Sequence, residues 1–190
     1  MRIENLNKAI LVVFVLIAIS IWSILLWDHF HGGVPYHHVL ANKELPKISN
    51  WWGALLVPLV SYLLLNRIKK RIKPDNDQDD LKLVKKEIYS FLAALLLAII
   101  ISFSFTTGNT QISDLLFLGL PVIALFLPIY HPAYLLGFVV GMMYTFGGVL
   151  PVLVGGIMSG ICYILFIAIH PLLIKLGIKI GIIKLRNSNI

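Results

Sequence analysis

Cysteine and charge are both scarce in this chain. A single cysteine, Cys162, stands among 190 residues, so an intrachain disulfide is excluded and cysteine usage gives no reading of the redox compartment. Charged residues make up 13% of the chain against 58% hydrophobic residues, and the mean hydropathy is +0.88. A water-soluble domain could not keep such a surface in water, so the class is integral membrane. Acidic residues number nine, and beyond Glu87 Asp114 is the only one. No charged residue lies in the middle of a long apolar run, which argues against a proton-coupled pump. Ser159 and Cys162 sit in an apolar run without a nearby base, which argues against a general hydrolase.

The formal charge of +7 does not point to nucleic acid, because the basic residues flank apolar runs instead of forming a basic domain. Six such runs can be drawn as spans, at about 9–27, 50–66, 88–106, 114–130, 133–149 and 151–170. The first is too long for a signal-peptide core and has no small-residue cleavage site after it, so it reads as an uncleaved helix. The expected fold is an all-α six-helix membrane bundle, a single domain over 1–190. It has an outer loop at 28–49, a cytoplasmic linker at 67–87 and an interfacial amphipathic tail at 171–190. Fourteen of the sixteen Lys and Arg residues then fall on one side, all but Lys43 and Lys47, which puts both termini in the cytoplasm. Anionic inner-leaflet lipids are the expected partners of the basic linker and tail, beside the bilayer itself and a homo- or hetero-oligomeric neighbour.

Two segments invite a ligand reading and resist it. The run Asp75–Asp80 begins like a calcium loop, but Asp80 stands where a glycine turn is needed and Lys86 where a bidentate glutamate is needed. Acidic residues at the start of a helix over Leu81–Ile88 explain it better. His131-Pro132 and His170-Pro171 are alike, but proline ending a helix at an interface accounts for both. Ser113 and Asp114 read as the N-terminal cap of the fourth span. Gly137-x3-Gly141 and Gly156-x3-Gly160, joined by the Gly147–Pro151 turn, predict a tight hairpin between spans five and six.

The densest chemistry lies in the outer loop, where Asp28, His29, His31, His37 and His38 form the candidate metal site. Imidazole with carboxylate suits zinc, iron, copper or nickel. In extended backbone an H-x-H pair places both rings on one side, and Gly32-Gly33 with Pro35 can bring His37 or His38 back toward it. Three such ligands with an open position would acidify a bound water. The competing reading is an aromatic interfacial belt of Trp22, Trp27, Phe30, Tyr36, Trp51 and Trp52, in which histidine is at home.

Histidine clusters are also found in the membrane di-iron hydroxylases and desaturases, but those use more histidines, in differently spaced boxes. In size and layout, six spans in 190 residues with a glycine-rich hairpin and an outer loop resemble the S-components of energy-coupling-factor transporters. That resemblance implies capture of a small solute. Three function classes therefore stand: a metal-binding or metal-dependent membrane protein, a solute transporter or its substrate-binding subunit, and a scaffold without chemistry.

Overall fold

The computed structural model describes residues 3–38, 47–72 and 77–179. Arg2, Lys43, Pro46, Lys73, Asp75, Lys184 and Arg186, which enter the charge, loop and linker readings, lie outside the described residues. The architecture is an all-α bundle of α1 (Ile3–Phe30), α2 (Gly53–Arg71), α3 (Asp77–Thr106), α4 (Thr110–Ala124), α5 (Pro132–Phe146) and α6 (Val149–Lys179). A small antiparallel hairpin, β1 (Tyr36–His38) and β2 (Lys47–Ser49), precedes a 3-10 turn at Asn50–Trp52.

Among the described residues four helices, not six, are long and apolar enough to cross a membrane: Leu6–Phe30, Asn50–Arg71, Leu81–Thr106 and Val149–Leu176. This corrects the six-span expectation. The spans expected at 114–130 and 133–149 are two helices of 15 residues each. At 1.5 Å per residue each is roughly 22 Å long, short of a ~30 Å hydrocarbon core. Proline explains the shortening. Pro121 weakens the end of α4, and Pro128 and Pro132 confine residues 125–131 to a turn. At its far end α5 stops at Gly147, whose φ of 72° suits glycine alone. By contrast, α1 and α3 contain neither Pro nor Gly and run for 28 and 30 residues. They end at Gly32-Gly33 and Gly108, all three with positive φ.

Three further boundaries move. Asp28 and His29 belong to α1 rather than to a loop. Most of the 67–87 linker is helix, because α2 runs to Arg71 and α3 starts at Asp77. Among the described residues no separate interfacial helix follows His170, since α6 continues through Pro171 to Lys179. Pro171 costs that helix one backbone hydrogen bond, a loss apolar spans tolerate. The Ser113 hydroxyl does not cap α4; it donates 3.2 Å back to the carbonyl of Ile101 in α3.

Helix α5 is the centre of the bundle. Ala133, Leu136, Val139 and Met143 pack into one core with Ile17, Ile21 and Leu25 of α1 and Val57, Leu64 and Leu65 of α2. Phe138 and Met142 pack into a second with Ala98 and Ile101 of α3. The outer faces stay apolar: Leu115, Leu118 and Phe103 are each about 70% exposed, as lipid-facing side chains would be.

The glycines of α5 face α3, not α6. A Cβ on Gly137 would run into the backbone carbonyl of Phe91, and one on Gly141 would sit 2.6 Å from Cβ of Ala98. Both contacts climb α3 in the same direction as α5, so the two helices are parallel. Gly147 and Gly148 close the other end: Gly147 abuts the Asn50 side chain, and a Cβ on Gly148 would lie 2.7 Å from Cα of Gly53. Gly156 and Gly160 face open space. The hairpin expected between two glycine motifs is therefore a junction of α5 with α3, while the α6 motif is unused within the chain.

Gly137→Ala is accordingly expected to lower stability by roughly 1–3 kcal/mol, because backbone has to move. Gly156→Ala is expected to be neutral or stabilising by roughly 0.5–1 kcal/mol. Thermal unfolding in detergent, followed by circular dichroism, checks the contrast; equal melting temperatures for the two variants would reject this packing.

Candidate functional site

The histidine stretch divides among separate partners. The His31 ring stacks on Trp27 at 3.8 Å, and its Nδ1 lies 2.9 Å from the Trp27 carbonyl, so Nδ1 is the donor. His29 lies edge-on to Phe30 and Trp51. The Asp28 carbonyl accepts from the backbone N–H of His31 and of Gly33, which folds the chain back toward β1. His37 and His38 pair through the backbone with Ile48 and Lys47; their side chains lie outside those described. Among the described residues no group of three or more His, Cys, Asp or Glu could hold a metal ion. The stretch thus takes the form of a short hairpin with an aromatic collar. Lys47 Nζ stands 4.4 Å over the Tyr36 ring, a cation–π contact.

A different constellation forms at the opposite end of the bundle. On α2, Arg67, Lys70 and Arg71 have the i, i+3, i+4 spacing that places them on one face. That face meets the turn between α4 and α5. Pro132 occupies the first helical position of α5 and keeps His131 extended, at φ −65° and ψ 150°. The His131 ring makes no helix cap and instead reaches Arg71, whose Nη1 lies 2.8 Å from His131 Nδ1. A guanidinium only donates, so Nδ1 accepts, and neutral His131 carries its proton on Nε2. On its other side Arg71 donates from Nε to Oε1 of Glu87 at 2.9 Å. Glu87 is 7% exposed, and its second oxygen, Oε2, has no hydrogen-bond partner among the described residues.

Arg71 thus bridges α2, α3 and the start of α5. Burial first, and then the positive charge of Arg71, hold the His131 imidazole below its ordinary value of 6.5; Lys86 adds to this and Glu87 opposes it. A pocket of about 580 Å³ opens beside this bridge, lined by Arg67, Lys70, Arg71, Tyr130, His131 and Tyr163 among others. Three guanidinium or ammonium groups face one partly neutralising carboxylate, so the pocket is strongly cationic. Chemically it can hold an anion by charge-assisted hydrogen bonds, with aromatic hydroxyls at its edge.

Along the sequence Arg67, Lys70 and Arg71 read as orientation signals and His131 as an interfacial residue before proline. Two signals were nonetheless present: the one-face spacing of Arg67, Lys70 and Arg71, and Glu87, an acid at the mouth of an apolar run that needs a cation close by. His170 follows a separate course. Its Nδ1 donates to the Leu125 carbonyl at 2.8 Å and its ring stacks on Phe166. The two His-Pro pairs therefore have different partners. The chain matches no protein-family model, no curated protein and no solved structure.

Removing Arg71 leaves Glu87 buried and unpaired. Arg71→Leu is expected to cost roughly 1–2 kcal/mol, at the low end because the arginine is itself partly exposed. Arg71→Leu with Glu87→Leu should recover part of that loss, and a double-mutant cycle on melting temperature measures the coupling. The histidine adds a pH dependence. Because its folded-state value is lowered, its contribution is complete above 6.5 and is lost as pH falls through the lowered value. Wild-type stability should therefore drop more steeply on acidification below 6.5 than that of His131→Gln; parallel profiles would reject the assignment.

Proposed function

We propose that this multi-pass membrane protein binds an anionic headgroup, phosphate or carboxylate, in the pocket beside Arg71. The observation that carries the reading is the convergence of Arg67, Lys70 and Arg71 on one pocket at the mouth of the bundle. Basic pockets between transmembrane helices are suited to anionic lipid headgroups. The tyrosines Tyr130 and Tyr163 at its edge are at home at headgroup level. The same end of the bundle carries Lys69, Lys82, Lys85 and Lys86, and the positive-inside tendency puts it, with the helix ends at Ile3 and Lys179, on the cytoplasmic side. On this reading the protein is a membrane carrier or capture module for an acidic amphiphilic ligand, the binding class rather than the metal class.

Arg67 and Lys70 are exposed and make no ion pair among the described residues, so both can be replaced without unfolding the chain. Each charge near the headgroups contributes about 1 kcal/mol, so Arg67→Gln with Lys70→Gln should weaken retention of an anionic lipid by about 30-fold. Native mass spectrometry of protein extracted with phosphatidylglycerol and phosphatidylcholine in equal amounts reads this directly. Preferential retention of the anionic lipid by the wild type, lost in the variant, is expected. Equal retention of both lipids by both proteins would overturn the reading.

A further inference from the structure

The cationic pocket has an apolar neighbour. A second cavity, of about 250 Å³, lies among α3, α4, α5 and α6, with Ala93, Leu97, Ile123, Phe138, Met158 and Cys162 in its walls. It is larger than the ~150 Å³ apolar cavity that takes up benzene in an engineered protein. Leu135 and Ser159 line both spaces, so the two are back to back. The wall between them is thin. The Ser159 hydroxyl donates to the Tyr130 carbonyl at 3.2 Å, and around it α6 offers Gly155, Gly156 and Gly160. Gly155 lies against Leu135 and Phe138 in the apolar cavity, and Gly160, with nothing within 4 Å, lines the cationic pocket, so α6 sets no bulky side chain at either position.

The order of the two spaces along α5 matters. His131 belongs to the cationic pocket, and the cavity takes Tyr134, Leu135 and Phe138 from the same helix. At 1.5 Å per residue these lie roughly 5–10 Å deeper. Charge at the mouth and a dry slot one to two turns below match the polarity of a lipid-like molecule standing in a bilayer.

We infer that the ligand is a single-chain anionic amphiphile, with its headgroup held by Arg67, Lys70 and Arg71 and its hydrocarbon chain passing between α5 and α6 at Leu135 and Ser159 into the apolar cavity. This rests on the headgroup reading above and adds the tail. The occupant comes from the membrane: the cavity is almost wholly apolar, and the adjacent charges favour a chain tethered to an anion.

The test uses the full chain in nanodiscs of neutral lipid, with butyl, octyl and dodecyl phosphate as probes. Ala93 lines the cavity and is exposed, so Ala93→Trp fills the slot without disturbing the core; its melting temperature should match that of the wild type. Longer chains partition into any bilayer, so the readout is the ratio of wild-type to variant affinity at each length. That ratio should be near one for butyl phosphate and rise to roughly tenfold or more for dodecyl phosphate. A ratio independent of chain length overturns the tail assignment. The headgroup reading then survives if Arg67→Gln with Lys70→Gln still weakens all three probes, and falls with it if that variant binds them as the wild type does.

Discussion

The close approach of α5 to α3 is the constraint on which the rest of the structure depends. At Gly137 and Gly141 there is no side chain between the two backbones. In a membrane, where lipid is as apolar as leucine, such contact is a principal source of helix association. It fixes α5 parallel to α3 and places its remaining faces against α1 and α2. The two hydrophobic cores meet on this one short helix, which is buried along most of its length. The four long helices surround it and turn their apolar outer surfaces away.

Parallel packing of α5 on α3 has a second effect at the basic end. It brings the start of α5 to the level of Glu87, next to the end of α2, so that Arg71 can satisfy both neighbours at once. A buried carboxylate, a guanidinium and a neutral imidazole are each costly alone in such a place. Together, hydrogen-bonded in a chain, they are tolerable, and each restricts the others' geometry. Arg67 and Lys70 need no such partners, which leaves their charge available to the pocket.

The membrane class and the positions of α1, α2, α3 and α6 were legible in the sequence, because long apolar runs free of charge leave little choice. The lengths of α4 and α5 were not. Their hydropathy reads as continuous across Leu125–His131, and only the effect of Pro128 and Pro132 on the backbone separates 15-residue helices from spans. The glycine pattern was visible, but not its partner: the spacing of Gly137 and Gly141 shows a bare face and is silent on which helix covers it. The cationic site is hidden in the sequence for a related reason. Its members come from α2, α3 and the α4–α5 turn, with Arg71 and His131 alone 60 residues apart in sequence, whereas the histidines of the loop lie within ten residues. Density along the chain proved a weaker guide than convergence in space.

One helix also joins the two ends of the molecule. Past its C-terminus, Gly147 abuts Asn50, whose backbone N–H in turn bonds the carbonyl of Pro35 in the histidine hairpin. Just before its N-terminus stands His131, held by Arg71. Between them run fifteen residues without an interior proline, and toward α3 the helix shows glycine where a bulky side chain would hold the two backbones apart. In mechanical terms α5 is a strut, clamped to α3 at Gly137 and Gly141, with its two ends seated in opposite faces of the protein.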